Sequence, residues 1–300
     1  MNTASACAKT ILFGEHAVVY GEPGIAVPLS GIRTEVRWIP NGETFRIASD
    51  AFGTDIPLTD LREGSGLRCL TERLKELCGI EALPPETLRI ISDIPIASGL
   101  GSGAALSAAV VRAFRLRFGL TMDTQAENDL VYEIEKIYHG NPSGIDNTTV
   151  VYEQPVYFVK GQTPVLLEAS AERLPLIVMD SGIRSRTVDV VTDVRSHYPE
   201  NAPLIRTIGT LVQDAVPALR KGDIRELGSL MNRNHELLRE LGVSCPELES
   251  IRDTALRCGA IGVKLTGAGR GGNLIALAPD AESAEDIRRK ISGEGVHVVL

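Results

Sequence analysis

The spacing of apolar residues predicts that the chain begins with strands and then gains helices. Apolar runs closed by glycine or proline favour strands at 6–13 and 25–39, and residues 88–94 are a further strand candidate. Leucines at steps of three and four residues over 67–77 predict an amphipathic helix. The opening of the chain is therefore predicted to be rich in β-structure.

Two longer helices are predicted in the middle of the chain. Residues 102–118 are rich in alanine and other small apolar residues, which favour a helix that packs closely. Residues 124–138 place their apolar side chains on one helix face. A strand is predicted to follow at 150–159.

The second half of the chain predicts its own set of elements. Strands are predicted at 174–179, 263–265, 274–278 and 296–300. Helices are predicted at 186–195, 203–219, 223–241, 244–258 and 284–291. Ser244 and Glu247 have the spacing of a capping box at a helix start. We place a domain boundary near residue 160, after a predicted strand, which divides the chain into domains 1–160 and 161–300.

Composition and charge are those of a globular protein and narrow the classes of function. The 300 residues suffice for two ordinary domains or one large one. The formal net charge of −8 argues against a nucleic-acid partner, which normally meets a basic face. No apolar run approaches the roughly 20 residues that span a bilayer, and the N-terminus lacks a signal-peptide pattern. Five cysteines without metal-knuckle spacing indicate reduced thiols, so we expect a cytoplasmic protein with no membrane partner.

The sharpest chemical feature is a glycine-rich segment between a predicted strand and the alanine-rich helix. Residues 95–105 read Pro-Ile-Ala-Ser-Gly-Leu-Gly-Ser-Gly-Ala-Ala. Glycines allow a tight turn there, and the N–H groups and dipole at a helix start favour a phosphate. The segment lacks the Gly-Lys-Ser/Thr ending of a Walker loop and the glycine spacing of a dinucleotide fingerprint. Taken alone, it is explained equally well as a tight helix entry whose glycines serve packing.

Two carboxylates in residues 135–147 point to metal and proton chemistry. Glu135 ends a predicted helix, and Asp146 follows a Gly-Asn-Pro-Ser-Gly turn that can fold it back toward Glu135. Phosphoryl transfer needs a carboxylate near Mg²⁺ and often another beside the attacking hydroxyl. By itself, this segment is explained slightly better as a helix end followed by an ordinary loop.

Two further segments carry polar groups or glycines in unusual density. Residues 264–273 include four glycines within the six positions 267–272, so the backbone can pass very close to another group. A β-turn with a bulge explains that segment equally well. The mostly apolar segment 9–21 contains three polar residues, Lys9, Glu15 and His16. A single lysine or histidine in such a segment is usually a surface residue.

Together these segments resemble the GHMP kinase superfamily, whose three motifs occur here in order over essentially the whole chain. Residues 14–21, Gly-Glu-His-Ala-Val-Val-Tyr-Gly, and 139–147, His-Gly-Asn-Pro-Ser-Gly-Ile-Asp-Asn, are most similar to the members that phosphorylate mevalonate. The resemblance implies a two-domain α+β fold, with an N-terminal domain like domain 2 of ribosomal protein S5 and a ferredoxin-like C-terminal domain. It also implies ATP and Mg²⁺ as cofactors and the 5-hydroxyl of mevalonate as acceptor, in isoprenoid biosynthesis.

The resemblance further implies roles for individual residues. Asp146 matches the catalytic aspartate, and Lys9 matches the lysine that pairs with it. Glu135 matches the magnesium-binding glutamate, with Ser102 as a second candidate ligand. The ATP phosphates are expected on Ser98, Gly99, Leu100, Gly101, Ser102, Gly103 and Ala104. The acceptor is expected to contact Glu15, His16, Ser143, Thr187, Gly267 and Ala268.

The chain departs from the family's motifs at three places. The phosphate loop of the family usually carries a magnesium-binding serine where this chain has Gly103. Cys7 and Ala8 replace the Pro-Gly that usually precedes the motif's lysine. Arg270 replaces a glycine of the third motif and is expected to add a cation near the phosphates. If the lost hydroxyl matters, Gly103→Ser is expected to tighten Mg-ATP binding.

Several alternatives stay open at this point. Other acceptors are phosphomevalonate, a sugar, homoserine and the 3-hydroxyl of mevalonate, and the Glu15-His16 string disfavours sugars. A related ATP-dependent decarboxylase would release CO₂. A catalytically silent binding protein on this fold is disfavoured by Lys9, Glu135 and Asp146. The oligomeric state is left open by the sequence, with a homodimer as one expectation.

Overall fold

The structure is a computed structural model, and it describes residues 3–50, 53–95, 99–140, 142–168 and 174–300. The chain divides into two units, of which unit 1 comprises Met1–Lys9 and Leu29–Glu153, and unit 2 comprises Thr10–Pro28 and Gln154–Leu300. The predicted division had a single boundary near 160, whereas the chain here crosses between the units after residues 9, 28 and 153.

Strands from the first third of the chain form the sheet of unit 1. They are β1 (Thr3–Phe13), β2 (Gly24–Pro40), β3 (Arg46–Ser49), β4 (Thr54–Pro57) and β5 (Glu86–Ser92). Strands β1 and β2 continue into unit 2. In unit 1, β2 pairs antiparallel with β5, β5 pairs parallel with β3, and β3 pairs antiparallel with β4. The predicted strands at 6–13, 25–39 and 88–94 are confirmed, while β3 and β4 were not predicted.

The helices of unit 1 place small side chains at their contacts. They are α1 (Gly66–Leu77), α2 (Ser102–Phe118), α3 (Thr124–His139) and α4 (Ile145–Tyr152). The alanines of α2 at 104, 105, 108 and 109 are fully buried, which lets α3 and α4 pack closely on α2. Trp38 of β2 meets Phe114 of α2 edge-on, with ring centroids 5.0 Å apart, and so joins sheet to helix.

Unit 2 contains an antiparallel sheet formed late in the chain. The strands from Gln154 onward are β6 (Val156–Phe158), β7 (Val165–Leu166), β8 (Leu176–Asp180), β9 (Gly262–Thr266), β10 (Asn273–Leu277) and β11 (His297–Val298), of which β6 and β7 belong to the sheet of β2. The last four pair antiparallel in the order β11-β8-β10-β9. The short strand β6 pairs with residues 24–26 of β2 and with β7.

Helices and one early segment complete the core of unit 2. The helices are α5 (Thr187–Ser196), α6 (Ala202–Lys221), α7 (Ile224–Glu240), α8 (Pro246–Arg257) and α9 (Ala281–Gly293). Ala17, from a 3₁₀ turn in the 10–28 segment, is fully buried in the same apolar cluster as Ile208 and Leu265. Burial of that early segment explains why it groups with unit 2. None of the helices that the structure describes is both long and apolar enough to cross a bilayer.

Two predicted elements are wrong, for identifiable reasons. The strand predicted at 150–159 is the last turn of α4 followed by the short β6, because α4 already begins at Ile145 and includes the valines at 150 and 151. The capping box of Ser244 and Glu247 does not form. Pro246 is the first residue of α8, which makes Cys245 the N-cap and leaves the Ser244 hydroxyl to donate to Glu249.

Candidate active site

Lys9 and Asp146 form an ion pair in unit 1. Lys9 Nζ lies 2.9 Å from Asp146 Oδ1, and the two side chains are 5% and 34% exposed. Asp146 lies in the first turn of α4, where the helix dipole favours a negative charge. The pair therefore sets a buried cation beside an accessible carboxylate.

The loop before α2 is built directly against Lys9. The Lys9 backbone N–H donates to Leu100 O at 3.0 Å. A Cβ atom on Gly101 would come within 2.8 Å of Lys9 Cγ, so the lysine stem lies on the bare glycine backbone. Gly101 has φ 74° and serves as the N-cap of α2, a conformation that glycine adopts without strain. The loop thus holds the lysine in one position.

The start of α2 offers backbone donors to an anion. No side chain among the described residues caps this helix. The N–H groups of Ser102, Gly103 and Ala104 are in its first turn, where intrahelical partners are lacking. Gly99 and Leu100 precede that turn, while Ser98 lies outside the described residues. This arrangement suits a phosphate.

Glu135 of α3 is a buried carboxylate close to the start of α2. It is 2% exposed, and a Cβ atom on Gly103 would lie 2.9 Å from Glu135 Oε1. The pKa of Glu135 is raised to about 7, chiefly by burial and then by the neighbouring Asp146, while Lys9 acts in the opposite direction. A cation placed beside Glu135 and Asp146 would relieve their mutual repulsion.

A cleft of about 190 Å³ joins these carboxylates, and its lining residues are Glu135, Pro142, Ser143, Gly144, Asp146 and Asn147. Asn147 is 2% exposed, and its Nδ2 donates to Asn128 Oδ1 at 2.8 Å. Asn147 Oδ1 is buried and has no hydrogen-bond partner within the described part of the chain. Ser143 Oγ accepts from the backbone N–H of Ile145 at 3.4 Å, which shapes the turn into α4. The cleft therefore contains an unused buried acceptor beside its acids.

The predicted acceptor residues Glu15 and His16 are both buried in unit 2. Glu15 forms an ion pair with Lys264 of β9, and neither side chain is exposed. Lys264 Nζ also donates to Leu265 O at 2.8 Å. His16 Nε2 lies 2.8 Å from Ala268 O, so this nitrogen carries the proton and donates. Burial lowers the pKa of His16, which keeps the imidazole neutral.

The glycine-rich turn and Thr187 also lie in unit 2. The turn, residues 267–272, connects β9 to β10, and Thr187 is the exposed first residue of α5. A Cβ atom on Gly269 would come within 2.1 Å of Val243 O, so only glycine permits this backbone approach. The Arg270 guanidinium is ion-paired with Asp193 of α5, so the extra cation is already engaged within its own unit.

Family models and a curated relative decide the affiliation of the chain. The model of the GHMP kinases N terminal domain matches residues 65–154, and that of the GHMP kinases C terminal matches residues 215–297. The mevalonate kinase of Thermococcus sibiricus is 34% identical over 320 residues, covering 97% of this chain and 93% of that protein. The chain belongs to the GHMP kinase family.

Solved GHMP kinase structures share the fold of this chain. The mevalonate kinase of Methanococcus jannaschii superimposes with a TM-score of 0.86 at 25% identity, covering 99% of this chain and 96% of that one. The L. major mevalonate kinase in complex with R-mevalonate gives a TM-score of 0.79 at 30% identity, covering 98% and 92%. The predicted family and two-domain α+β fold are confirmed. As a GHMP kinase, the chain is a phosphotransferase that acts on an alcohol and takes its phosphoryl group from ATP.

The residues of this cleft would suit a magnesium ion that is bound together with the phosphates of ATP. No group of three or more His, Cys, Asp or Glu side chains in the described residues is placed to hold a metal alone. Mg²⁺ is usually bound by one or two carboxylates together with substrate phosphates. Glu135 and Asp146 supply such carboxylates, and the unpartnered Asn147 Oδ1 is a further hard oxygen in the same cleft.

Two residues of this GHMP kinase were not singled out as functional by the motifs. Lys264 interrupts an apolar strand, and a charged residue in such a place signals a buried partner. Asn147 follows Asp146 directly, but the sequence predicts a strand from 150 onward and so gives no reason to turn its side chain inward. The buried role of Lys264 could therefore be predicted from the sequence, whereas the inward orientation of Asn147 became visible only once α4 was known.

Proposed function

We propose that this GHMP kinase transfers the γ-phosphoryl group of ATP to the 5-hydroxyl of mevalonate, a step of isoprenoid biosynthesis. The observation that carries the proposal is the 2.9 Å Lys9–Asp146 pair, whose lysine lies against the loop that opens α2. The mevalonate kinases named above, similar over nearly the full length, support this acceptor.

Asp146 is the proposed catalytic base. Its accessible carboxylate orients the acceptor hydroxyl and takes its proton as the oxygen attacks the γ-phosphorus. The Lys9 ammonium, 2.9 Å away, stabilises the negative charge that develops on that oxygen. The bond from the γ-phosphorus to ADP breaks as the new one forms, and ADP carries away the electron pair. Gly101 keeps the lysine stem in place, so little reorganisation is needed.

The loop and the start of α2 are the proposed phosphate site. Residues 98–104 bind the ATP phosphates through backbone N–H groups, which the α2 dipole reinforces. Glu135 and Ser102 are the proposed metal ligands, with Asp146 and Asn147 lining the same cleft. When bound, Mg²⁺ neutralises charge between the β- and γ-phosphates.

The acceptor roles carried over from the family motifs stay proposals. They concern Glu15, His16, Ser143, Thr187, Gly267 and Ala268. We infer that Glu15 acts indirectly, because its carboxylate is engaged by Lys264 and holds the turn that presents His16. The neutral His16 donates from Nε2 to Ala268 O, which leaves Nδ1 as an acceptor for a substrate hydroxyl.

The proposal is tested by incubating purified protein with Mg-ATP and (R)-mevalonate, following ADP and recording proton-coupled ³¹P spectra of the product. A phosphate on the 5-hydroxyl adjoins a CH₂ group and gives a triplet, whereas a phosphate on the tertiary 3-hydroxyl gives a singlet. We expect the triplet, and we expect Asp146→Asn to lower kcat by about 10²- to 10⁴-fold while ATP still binds. A full rate in Asp146→Asn would remove the aspartate from the mechanism.

The same assay separates the remaining candidates. A singlet assigns the 3-hydroxyl, and CO₂ release assigns a decarboxylase. ADP formation only with phosphomevalonate or homoserine reassigns the acceptor, and ATP binding without turnover of any of these assigns a silent binding protein. A cytoplasmic location and a homodimer remain predictions from the sequence.

A further inference from the structure

The glycine-rich turn is hydrogen-bonded to the segment that leads into α5. The Ser181 N–H donates to Gly272 O at 2.9 Å, and the Gly272 N–H donates to Ile183 O at 2.8 Å. The Ser185 hydroxyl donates to Gly269 O at 2.6 Å. These bonds join Gly269 and Gly272 of the turn to residues 181–185, and Ser185 lies two residues before α5 begins.

Arg270 extends this contact from the turn onto the helix itself. Its guanidinium forms an ion pair with Asp193, in the second turn of α5. Arg270 Nε donates to Gly242 O at 3.1 Å, and its backbone N–H donates to Val243 O at 2.8 Å. One residue thus ties the turn to α5 and to the loop between α7 and α8.

The backbone of Arg270 indicates that these contacts are needed. Arg270 has φ 54°, a left-handed conformation in which a side chain costs energy and glycine does not. The family motif that this segment resembles carries glycine there. The arginine therefore keeps an unfavourable conformation that its two side-chain contacts, with Asp193 and with Gly242 O, offset.

We propose that Arg270, acting through Asp193, is a positioning residue that fixes Thr187 of α5 against the glycine-rich turn before the acceptor arrives. The inference rests on the proposed function, in which Thr187 and the turn residues Gly267 and Ala268 contact the acceptor. We call the Arg270–Asp193 ion pair the clamp. An acceptor site that is already ordered loses less conformational freedom on binding, so the clamp lowers the KM for the acceptor without changing kcat. Because the side chains of Arg270 and Asp193 are 40% and 41% exposed, the effect of their ion pair on the acceptor KM is small and weakens as the salt concentration rises.

The kinetic test compares Arg270→Gly, Asp193→Asn and the double variant with the parent enzyme. Glycine suits φ 54° better than arginine, so Arg270→Gly keeps the fold. We expect each single variant to raise the acceptor KM about two- to five-fold, with kcat and the KM for ATP unchanged. The double variant should be no worse than either single one, because both remove the same contact. Raising NaCl to about 1 M should bring the parent and variant KM values together.

A matched control comes from a second exposed ion pair of unit 2. Arg288 is 43% exposed and pairs with Glu285 within α9, so Arg288→Ala removes a similar charge without touching the turn. Its acceptor KM should equal that of the parent. An Arg270→Gly variant whose KM rises only for ATP would identify Arg270 as a phosphate-binding cation and overturn the proposal. Unchanged KM values, or fully additive effects in the double variant, would overturn it as well.

Amide hydrogen exchange without any substrate tests the clamp independently of the proposed function. Arg270→Gly and Asp193→Asn should both speed exchange over residues 187–196, and Arg270→Lys, which keeps the charge but loses the forked donors, should lie between them and the parent. Unchanged exchange in this helix would refute the clamp. A parent enzyme that fails to phosphorylate mevalonate would refute the proposed function and leave the exchange result standing.

Discussion

A Cβ atom at Gly103 would lie 2.9 Å from Glu135 Oε1, which is closer than such atoms approach each other. The Glu135 carboxylate therefore occupies the space that a side chain at position 103 would need. Gly103, which replaces the serine of the family's loop, is therefore compatible with the observed position of Glu135. The absence of a side chain at position 103 leaves room for this carboxylate close to the helix start.

Substitution at Gly103 should weaken Mg-ATP binding, because any side chain displaces Glu135 by a few tenths of an ångström. We expect Gly103→Ala to raise the apparent Kd for Mg-ATP about ten-fold, an overpacking cost of about 1–2 kcal/mol. Gly103→Ser adds the same Cβ and a possible metal ligand, so it should lose less than Gly103→Ala. Titration calorimetry with a non-hydrolysable ATP analogue measures both. Tighter binding by Gly103→Ser than by the parent would restore the expectation drawn from sequence alone.

Removal of the lysine charge should slow the chemical step more than it affects binding. Lys9→Met keeps a flexible stem against Gly101 but leaves Asp146 without its cation. We expect kcat to fall about 10²-fold or more, with the acceptor KM changed little. Single-turnover kinetics would isolate the step. A variant with normal kcat and a raised KM would show that Lys9 serves binding instead.

At the scale of residues, the sequence predicted one ion pair of the candidate site but not the pairs that join distant segments. The pairing of Lys9 with Asp146 followed from a family motif and is found at 2.9 Å. The Glu15–Lys264 and Arg270–Asp193 pairs join segments that are distant along the chain. Spacing in a sequence carries no information about such contacts, because they depend on how β9 and α5 are placed in unit 2.

Three elements of unit 2 meet at a single buried histidine. The Leu265 N–H of β9 donates to His235 Nδ1 at 3.2 Å, so the proton of the ring is on Nε2. His235 Nε2 then donates to Glu249 Oε1 of α8 at 2.9 Å, and the Ser244 hydroxyl donates to the same carboxylate. The histidine thereby links α7, α8 and β9.

Acid should weaken this junction at a pH where its own carboxylate is still ionised, because the pKa of Glu249 lies below its usual value, its burial being outweighed by hydrogen bonds from Ser244 and His235. The pKa of His235 is lowered from 6.5 to about 4, chiefly by burial, with Glu249 acting against this shift and Arg252 and Lys264 adding to it. Between those values the unfolded chain binds the proton that the folded chain excludes, so stability is full above pH 6.5 and falls as the pH drops toward 4. We expect a loss of about 2 kcal/mol between pH 7 and pH 5 from this group.

Urea unfolding at pH 7 and pH 5 measures the effect, and His235→Gln is the matched variant because its amide retains a donor and an acceptor. The variant should be less stable than the parent at pH 7, with a smaller difference between the two pH values. An equal pH dependence in both proteins would mean that other groups cause the acid sensitivity.

At the scale of elements, periodicity predicted the long helices well. Helix α2 begins and ends where the alanine-rich pattern predicted it, at 102 and 118. The short elements failed for local reasons. The eight residues of α4 include valines that also suit a strand, and β3 and β4 have four residues each, too few to show a period.

For the whole molecule, the discontinuous units predict which fragments can fold. Residues 154–300 alone lack Ala17 of the unit 2 core and residues 24–26, which pair with β6. We expect this fragment to show no cooperative thermal unfolding by circular dichroism. Joining residues 10–28 to it through a flexible linker should restore a cooperative transition. A cooperative transition in 161–300 by itself would favour the simple boundary near residue 160.

The same discontinuity has a consequence for synthesis on the ribosome. Residues 10–28 leave the exit tunnel early, yet the rest of unit 2 starts only at Gln154. At about 5–20 residues per second, this apolar segment waits roughly 10 to 50 seconds until core partners such as Ile208 and Leu265 have been made. During that time its apolar side chains stay exposed, and we expect a chaperone to bind them.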